Sequence, residues 1–186
     1  ASLLVWTTTP WTLVSNTAVA VNPKVEYQVI EITTDEKVER LVVAANLAPI
    51  LGEERKVIAS FIGSELEHTK YSPPLELVEI PDAHYIVLAD YVTVEDGTGL
   101  VHQSPAFGAD DFAVCRKYGL PVTNPISPDG HFQEGLAIIG GTFFKDADKP
   151  LIKELKRVGL LFKQEQYEHS YPHCWRCHTA LMYYAQ

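Results

Sequence analysis

The residues best suited to chemistry fall in two stretches of the chain. The first, Trp6-Thr7-Thr8-Thr9-Pro10-Trp11-Thr12, closes the apolar run Leu3-Leu4-Val5 and is followed by Asn16. Side chains alternate between faces in an extended segment, and Pro10 biases Thr9 towards extended backbone, so Thr7 and Thr9 are expected to share one face of a strand end. A hydroxyl donates one hydrogen bond and accepts others, which suits a ligand that carries hydroxyl and carbonyl oxygens, such as a ribose or an ester. Taken alone, the same residues are better explained as a threonine-rich edge strand, since Thr favours strands.

The second stretch runs Gly97-Thr98-Gly99-Leu100-Val101-His102-Gln103-Ser104-Pro105-Ala106-Phe107-Gly108-Ala109-Asp110-Asp111-Phe112. It reads as a glycine-flanked turn, a short apolar strand ending at His102, a Pro/Gly loop and a helix. The helix is expected over 109–118, with Phe112, Cys115 and Tyr118 at helical spacing and Gly119 as its stop. Asp110 and Asp111 then occupy the first turn, where the helix dipole favours negative charge without any functional reason. His102 reads as well as a core histidine held by a backbone carbonyl as it does as a site residue. Cys115 shares the helix's apolar face with Phe112, which points to burial rather than to a nucleophile paired with His102.

The elements that must position these groups are mostly short strands. Alternation and β-branched content predict strands over 3–7, 17–21, 27–33, 40–44, 57–62, 85–88, 99–102 and 161–167. Besides the helix at Asp111, the pattern Ile152, Leu155, Val158 predicts a helix over 146–158, with Asp146 as its cap and Gly159 as its stop, and a short helix is expected over 46–51. Tyr71-Ser72-Pro73-Pro74 and Ile80-Pro81-Asp82 punctuate a loop region. Many short strands and few helices suggest a mixed, β-rich fold: a closed or nearly closed β-barrel decorated with short α-helices. One domain over 1–186 is expected, with 1–5 and about 170–186 as junctions to a larger body.

With both stretches in view, the chain resembles the editing domain, a connective-peptide insertion, of class I aminoacyl-tRNA synthetases for branched aliphatic amino acids, in its isoleucyl form. WTTTPWT followed by Asn16 is similar to the isoleucyl threonine-rich peptide, whereas the valyl and leucyl relatives carry Arg where Thr9 stands. GTGLVHQSPAFGADDF is similar to the second editing motif of the isoleucyl and valyl enzymes, and His102 argues against the leucyl one. The resemblance covers essentially the whole chain and ends in YPHCWRCHTALMYYA, which looks like the return to a catalytic core. Two departures stand out: Val14-Ser15 replaces Pro and a small residue, and Ser104 replaces a usual Ala, a change at the floor of the pocket.

The resemblance implies hydrolysis of valyl-tRNA for isoleucine, with valyl-adenylate left open as a further substrate and a barrel as the fold. A missing methylene is worth only about 1–3 kcal/mol in a hydrophobic pocket, and the isoleucyl enzyme is the standard worked case of why a second, size-excluding site is then needed. In that scheme Asp111 pairs with the substrate's ammonium group, while Thr7, Thr8, Thr9 and Asn16 hold ribose hydroxyls, the carbonyl oxygen or the attacking water. His102 and the backbone after Pro105 form the wall that rejects isoleucine's extra methylene, and Trp11, Ser104, Phe107 and Gly108 complete the substrate contacts. The expected partners are the acceptor end of isoleucine tRNA, the valine moiety and the remainder of the synthetase, with no membrane and a monomeric state. A valyl-type domain clearing threonine, a non-catalytic nucleotide or amino-acid binding module and a purely structural β-barrel insertion are the competing readings.

Composition is compatible with a piece of a larger cytoplasmic enzyme. The chain has 186 residues, begins at Ala1 inside an apolar run, and carries no apolar stretch long enough to span a bilayer. Fifteen Lys and Arg against 24 Asp and Glu give a net charge of −9, the opposite of a nucleic-acid footprint, so tRNA binding by the isolated domain is expected to be weak. Three cysteines, two of them in Cys174-Trp175-Arg176-Cys177, argue against a disulfide framework. Cys174 and Cys177 look like half of a zinc site, which wants four ligands; the resemblance supplies the other pair from segments of the full-length enzyme. No cofactor is expected for editing itself, and no ordered metal in this chain alone.

Overall fold

A computed structural model describes residues 1–33, 37–166 and 171–185. The chain divides into two compact units: Ala1–Thr7, Ala18–Tyr71 and His84–Gln103 make the first, and Thr8–Thr17, Ser72–Ala83 and Ser104–Gln186 the second.

Among the described residues the first unit holds all seven strands: β1 (Ser2–Leu3), β2 (Ala18–Val21), β3 (Glu26–Thr33), β4 (Val38–Ala44), β5 (Arg55–Ile62), β6 (Tyr85–Leu88) and β7 (Leu100–Gln103). They form a four-stranded sheet in the order β1-β4-β3-β5 and a three-stranded sheet in the order β6-β2-β7. The expected closed barrel is therefore corrected to two separate mixed sheets. A barrel needs an unbroken ring of strand pairs, and here that ring is interrupted by irregular backbone. Ala44 N–H goes to the Thr98 carbonyl at 2.9 Å, outside any strand ladder, and the outer edge of β6 meets the non-strand segment His68–Tyr71.

The same bond explains why the first strand stops early. A strand was expected over 3–7, but β1 pairs with β4 only through Ser2 opposite Leu41 and Leu3 opposite Val42, followed by Leu4 N–H to Val42 O at 3.1 Å. The next bond of a parallel ladder would come from Ala44 N–H, which Thr98 has already taken. Gly99 makes this close approach feasible: its φ is +76°, and a Cβ there would lie 2.4 Å from that of Ala44. β2 is buried along its whole length between a parallel neighbour, β6, and an antiparallel one, β7, so its Ala18-Val19-Ala20-Val21 run has no polar face. Tyr27 sits at the centre of the unit, fully buried, accepting Asn22 N–H at 2.9 Å and donating to Gly99 O at 2.7 Å.

The second unit is helical and irregular. A 3-10 helix over Pro10–Ser15 leads, followed by α1 (Ala109–Lys117), a 3-10 turn over Phe144–Ala147 and α2 (Asp148–Arg157). Trp11, Leu13, Val14, Phe132, Phe144, Leu151 and Leu155 pack into one core. The helix expected over 146–158 is split: Asp146 lies in the 3-10 turn, Ala147 is the cap without a side-chain bond, and Asp148 opens α2. Gly159, at φ +74°, closes it as expected. The strand expected over 161–167 is absent from 161–166, and Tyr167 lies outside the described residues, as do Ser170 and Gln186 of the expected C-terminal junction. No helix among the described residues is long and apolar enough to cross a membrane.

Candidate functional site

Most of the candidate residues lie in the second unit, on the threonine-rich peptide and the loop that leads into α1. Pro10 opens the 3-10 helix, a position where its missing N–H costs nothing. The peptide therefore turns where an extended strand end was expected, and Thr7 and Thr9 do not share a strand face. Thr12 Oγ donates to Thr9 O at 2.8 Å and lies 3.4 Å from Thr9 Oγ. Thr7, the last residue of the first unit, and Thr8 and Thr9 of the second are all half-buried. Asn16 is buried, with its backbone N–H on Leu13 O at 3.1 Å; it closes the helix.

Asp111 is the third helical residue of α1, after the cap Gly108. Its Oδ2 accepts the Ser104 N–H at 2.8 Å, folding the carboxylate back over the start of the helix. This fold-back requires glycine at 108, because a Cβ there would lie 2.7 Å from Asp111 Cγ. Burial raises the Asp111 carboxyl from 3.8 to about 6, with the Ser104 amide opposing the shift and the charge of Asp110 adding to it. Asp110 itself is exposed. One amide takes a small part of a carboxylate's four lone-pair sites, so Asp111 retains capacity for a cation.

Ser104 also ties the two motifs together. Its Oγ lies 2.7 Å from Ser15 Oγ, and both serines are buried, at 1% and 0% exposure. The two departures noticed in the sequence thus meet as one buried hydrogen bond that links the end of the threonine-rich peptide to the loop holding Asp111. A buried hydroxyl left alone is costly, so each serine accounts for the other. Their pairing could have been suspected only from the coincidence of two small polar residues at two departures.

The remaining expected contacts divide between packing and lining. Trp11 is buried, edge-on to Phe107 at 4.9 Å and to Phe144 at 4.8 Å, which makes it a core residue. Pro105 is buried and Phe107 half-buried against that core. Asp148, which sequence reasoning used only within a helix, accepts the Trp11 N–H at 2.9 Å and so fixes the threonine-rich peptide to the first turn of α2. A first-turn acid is common, and no sequence signal marks this one.

In the first unit, His102 lies on β7 opposite Val19 and is buried. Desolvation lowers its pKa from 6.5 to about 4, so the ring is neutral at physiological pH. Its neighbour Gln103 is fully buried and exchanges hydrogen bonds with the Tyr91 hydroxyl at 2.8 and 3.0 Å. Cys115 is fully buried, and burial pushes its thiol up to about 12, which removes it as a nucleophile.

Cys174 and Cys177 are free thiols on one turn, closed by His178 N–H to Cys174 O at 2.9 Å. Cys177 Sγ lies 3.3 Å from the Thr179 hydroxyl, which, with lesser help from Cys174, brings its pKa down to about 7. Two thiols that share a turn are a donor set suited to zinc. Among the described residues no three His, Cys, Asp or Glu side chains converge into a metal cluster.

Comparison with known proteins adds an independent line. The family model described as leucyl-tRNA synthetase, editing domain, matches residues 1–145. Over its whole length the chain is 63% identical to an isoleucine–tRNA ligase of Streptomyces coelicolor and 45% identical to one of Thermus thermophilus, covering 18% and 17% of those proteins. The chain thus spans less than a fifth of the length of the curated relatives it matches. Among solved structures, GlLeuRS-CP1 superposes with a TM-score of 0.67 at 20% identity, covering 89% of this chain and 84% of that one. The P. falciparum cytosolic leucyl-tRNA synthetase editing domain gives 0.56 at 14% identity, over 82% and 77%. At such identities the structures share the fold alone, while the isoleucine ligases share the sequence.

Proposed function

Because the chain belongs to the family of aminoacyl-tRNA synthetase editing domains, we propose that it performs post-transfer editing within an isoleucine–tRNA ligase, hydrolysing the ester between valine and isoleucine tRNA. The single observation that carries the reading is the carboxylate of Asp111, held by the Ser104 amide beside the anchored threonine-rich peptide. Asp111 receives the ammonium group of the misattached valine as a charge-assisted contact. The half-buried Thr8 and Thr9, together with Thr7, hold ribose hydroxyls, the carbonyl oxygen or the attacking water. Asn16, buried at the end of the 3-10 helix, holds the same peptide in place.

An aminoacyl ester is an activated acyl group, so positioning a water against its carbonyl supplies most of what hydrolysis needs. Water adds to the carbonyl carbon, the ester C–O bond breaks, and the ribose hydroxyl and free valine leave. No residue of the site needs to change charge: His102 is neutral, and we assign it the size filter that rejects isoleucine. Editing itself uses no metal. Cys174 and Cys177 would give two thiolates to a zinc ion completed by other segments of a full-length ligase, where the ion would hold structure. The partners are the tRNA acceptor end and the remainder of that ligase, in the cytoplasm.

The test is deacylation of isoleucine tRNA charged with valine or with isoleucine. Release of valine but not isoleucine is the expected result. Equal release of both, or of neither, overturns the reading.

A further inference from the structure

In a chain of net charge −9, α2 presents a face that is basic and nothing else. Successive helical residues advance by about 100°, which puts Lys149, Lys153 and Lys156 within an arc of about 60°. Leu151 and Leu155, on the opposite side, are buried in the core of the second unit, so the three lysines stand on the solvent side, and all three are exposed. The acids of the helix do not offset them. Asp148 is half-buried and takes the Trp11 amide, and Glu154 is held by Arg157 through two bonds of 2.7 and 2.6 Å. The preceding Lys145 is occupied as well, with its ammonium 3.5 Å from the Tyr171 ring centroid. Among the described residues, Lys149, Lys153 and Lys156 make no ion pair.

Position gives the stripe a purpose. α2 begins at the residue that anchors the threonine-rich peptide, so the lysines start one residue from the site's own support and run about 10 Å away from it at 1.5 Å per residue. At about 3.4 Å of duplex axis per phosphate of one strand, that length covers about three phosphates. Three unpaired ammonium groups in line, compact and strongly hydrated, suit phosphate oxygens as point charges.

We propose that Lys149, Lys153 and Lys156 form a phosphate-binding stripe that guides the sugar-phosphate backbone of the tRNA acceptor end towards the editing site. The proposal rests on the editing reading above, and it resolves how an acidic domain admits a polyanion: the repulsion of the chain as a whole is relieved along one helix face.

The test is the variant Lys149→Gln/Lys153→Gln/Lys156→Gln in the full-length ligase, assayed on valyl-tRNA and on 3′-O-valyl-adenosine, which lacks the backbone. On valyl-tRNA the expected result is a KM raised about ten-fold or more with kcat unchanged, and a log–log salt slope made shallower by about 2, given 0.7–0.9 per phosphate contact. Hydrolysis of the small ester stays at the wild-type rate, and the triple Lys→Arg variant restores KM. An unchanged KM and salt slope on tRNA overturns the stripe while leaving editing standing. So does equal loss on both substrates, which would mean the lysines act through the fold. Loss of ligase stability with unchanged tRNA KM would show that the face docks protein rather than RNA. If the wild-type ligase releases valine from neither substrate, the editing reading itself fails and the stripe falls with it.

Discussion

Replacing Asp111 by Asn should stabilise the protein while abolishing editing, and the two effects have separate physical origins. Burial lifts the Asp111 carboxyl from 3.8 to about 6. Between those values the folded state holds a proton that the unfolded state has released, so stability falls as pH rises through the window. Above pH 6 the ionised carboxylate costs about 3 kcal/mol relative to its protonated form, and its partial exposure reduces this to about 1–2 kcal/mol. Asn removes that cost and still offers an oxygen to the Ser104 N–H, so the packing over Gly108 survives. Urea unfolding of both proteins at pH 4 and pH 8 should show no gain at pH 4 and a gain of about 1–2 kcal/mol at pH 8. Deacylation of valyl-tRNA should drop below detection at every pH, because a neutral amide does not pair with ammonium as a carboxylate does. A variant that loses stability at pH 8, or that keeps wild-type deacylation, refutes the reasoning.

Three further outcomes follow from the same geometry. Gly108→Ala places a Cβ 2.7 Å from Asp111 Cγ, so the carboxylate must leave the Ser104 amide; deacylation should fall at least ten-fold for a stability loss of about 1 kcal/mol, measured side by side. Ser15→Ala strands the buried Ser104 hydroxyl and should cost about 1–3 kcal/mol, whereas Ser104→Ala leaves Ser15 Oγ its 3.3 Å bond to Thr12 O and should cost less, about 1 kcal/mol; the double variant should cost less than the sum, as thermal or urea unfolding will show. His102→Ala should admit the isoleucyl ester, one methylene being worth about 1–3 kcal/mol; loss of valyl hydrolysis without any gain on isoleucyl-tRNA would instead make His102 an ester-orienting group.

The local elements that carry the candidate residues were more legible in the sequence than the architecture around them. The helix over 109–117 follows directly from apolar spacing, first-turn acids and Gly119, and the buried Cys115 follows from its place on that helix. β2 to β7 are recognisable within one or two residues because β-branched runs mark them. The barrel was not legible, since closure depends on which backbone groups find each other, and Ala44 N–H turning to Thr98 leaves no trace in residue type. The turn at Pro10 was misread for a related reason: proline restrains Thr9 to extended backbone but is itself well placed to start a helix. The Asp148 bond to Trp11 spans 137 positions and no local pattern announces it.

The surroundings of Asp111 also say what the site lacks. Among the described residues its shift is set by burial, one amide, its own backbone and a second carboxylate, with no Lys or Arg contributing. A half-buried acid without a protein cation is an unfavourable arrangement for stability alone, and Gly108, which the fold-back demands, forgoes a side chain to preserve it. Under the editing proposal, the α-ammonium group of an aminoacyl ester supplies the missing charge. By linkage, a ligand that binds the ionised carboxylate lowers its pKa, so binding below pH 6 must release a proton. The α-amino group, with an ordinary pKa of about 7.7–8.0, sets the other limit, because it must stay protonated to pair. Editing should therefore be strongest between about pH 6 and 8, the interval in which both partners of the one ion pair are charged.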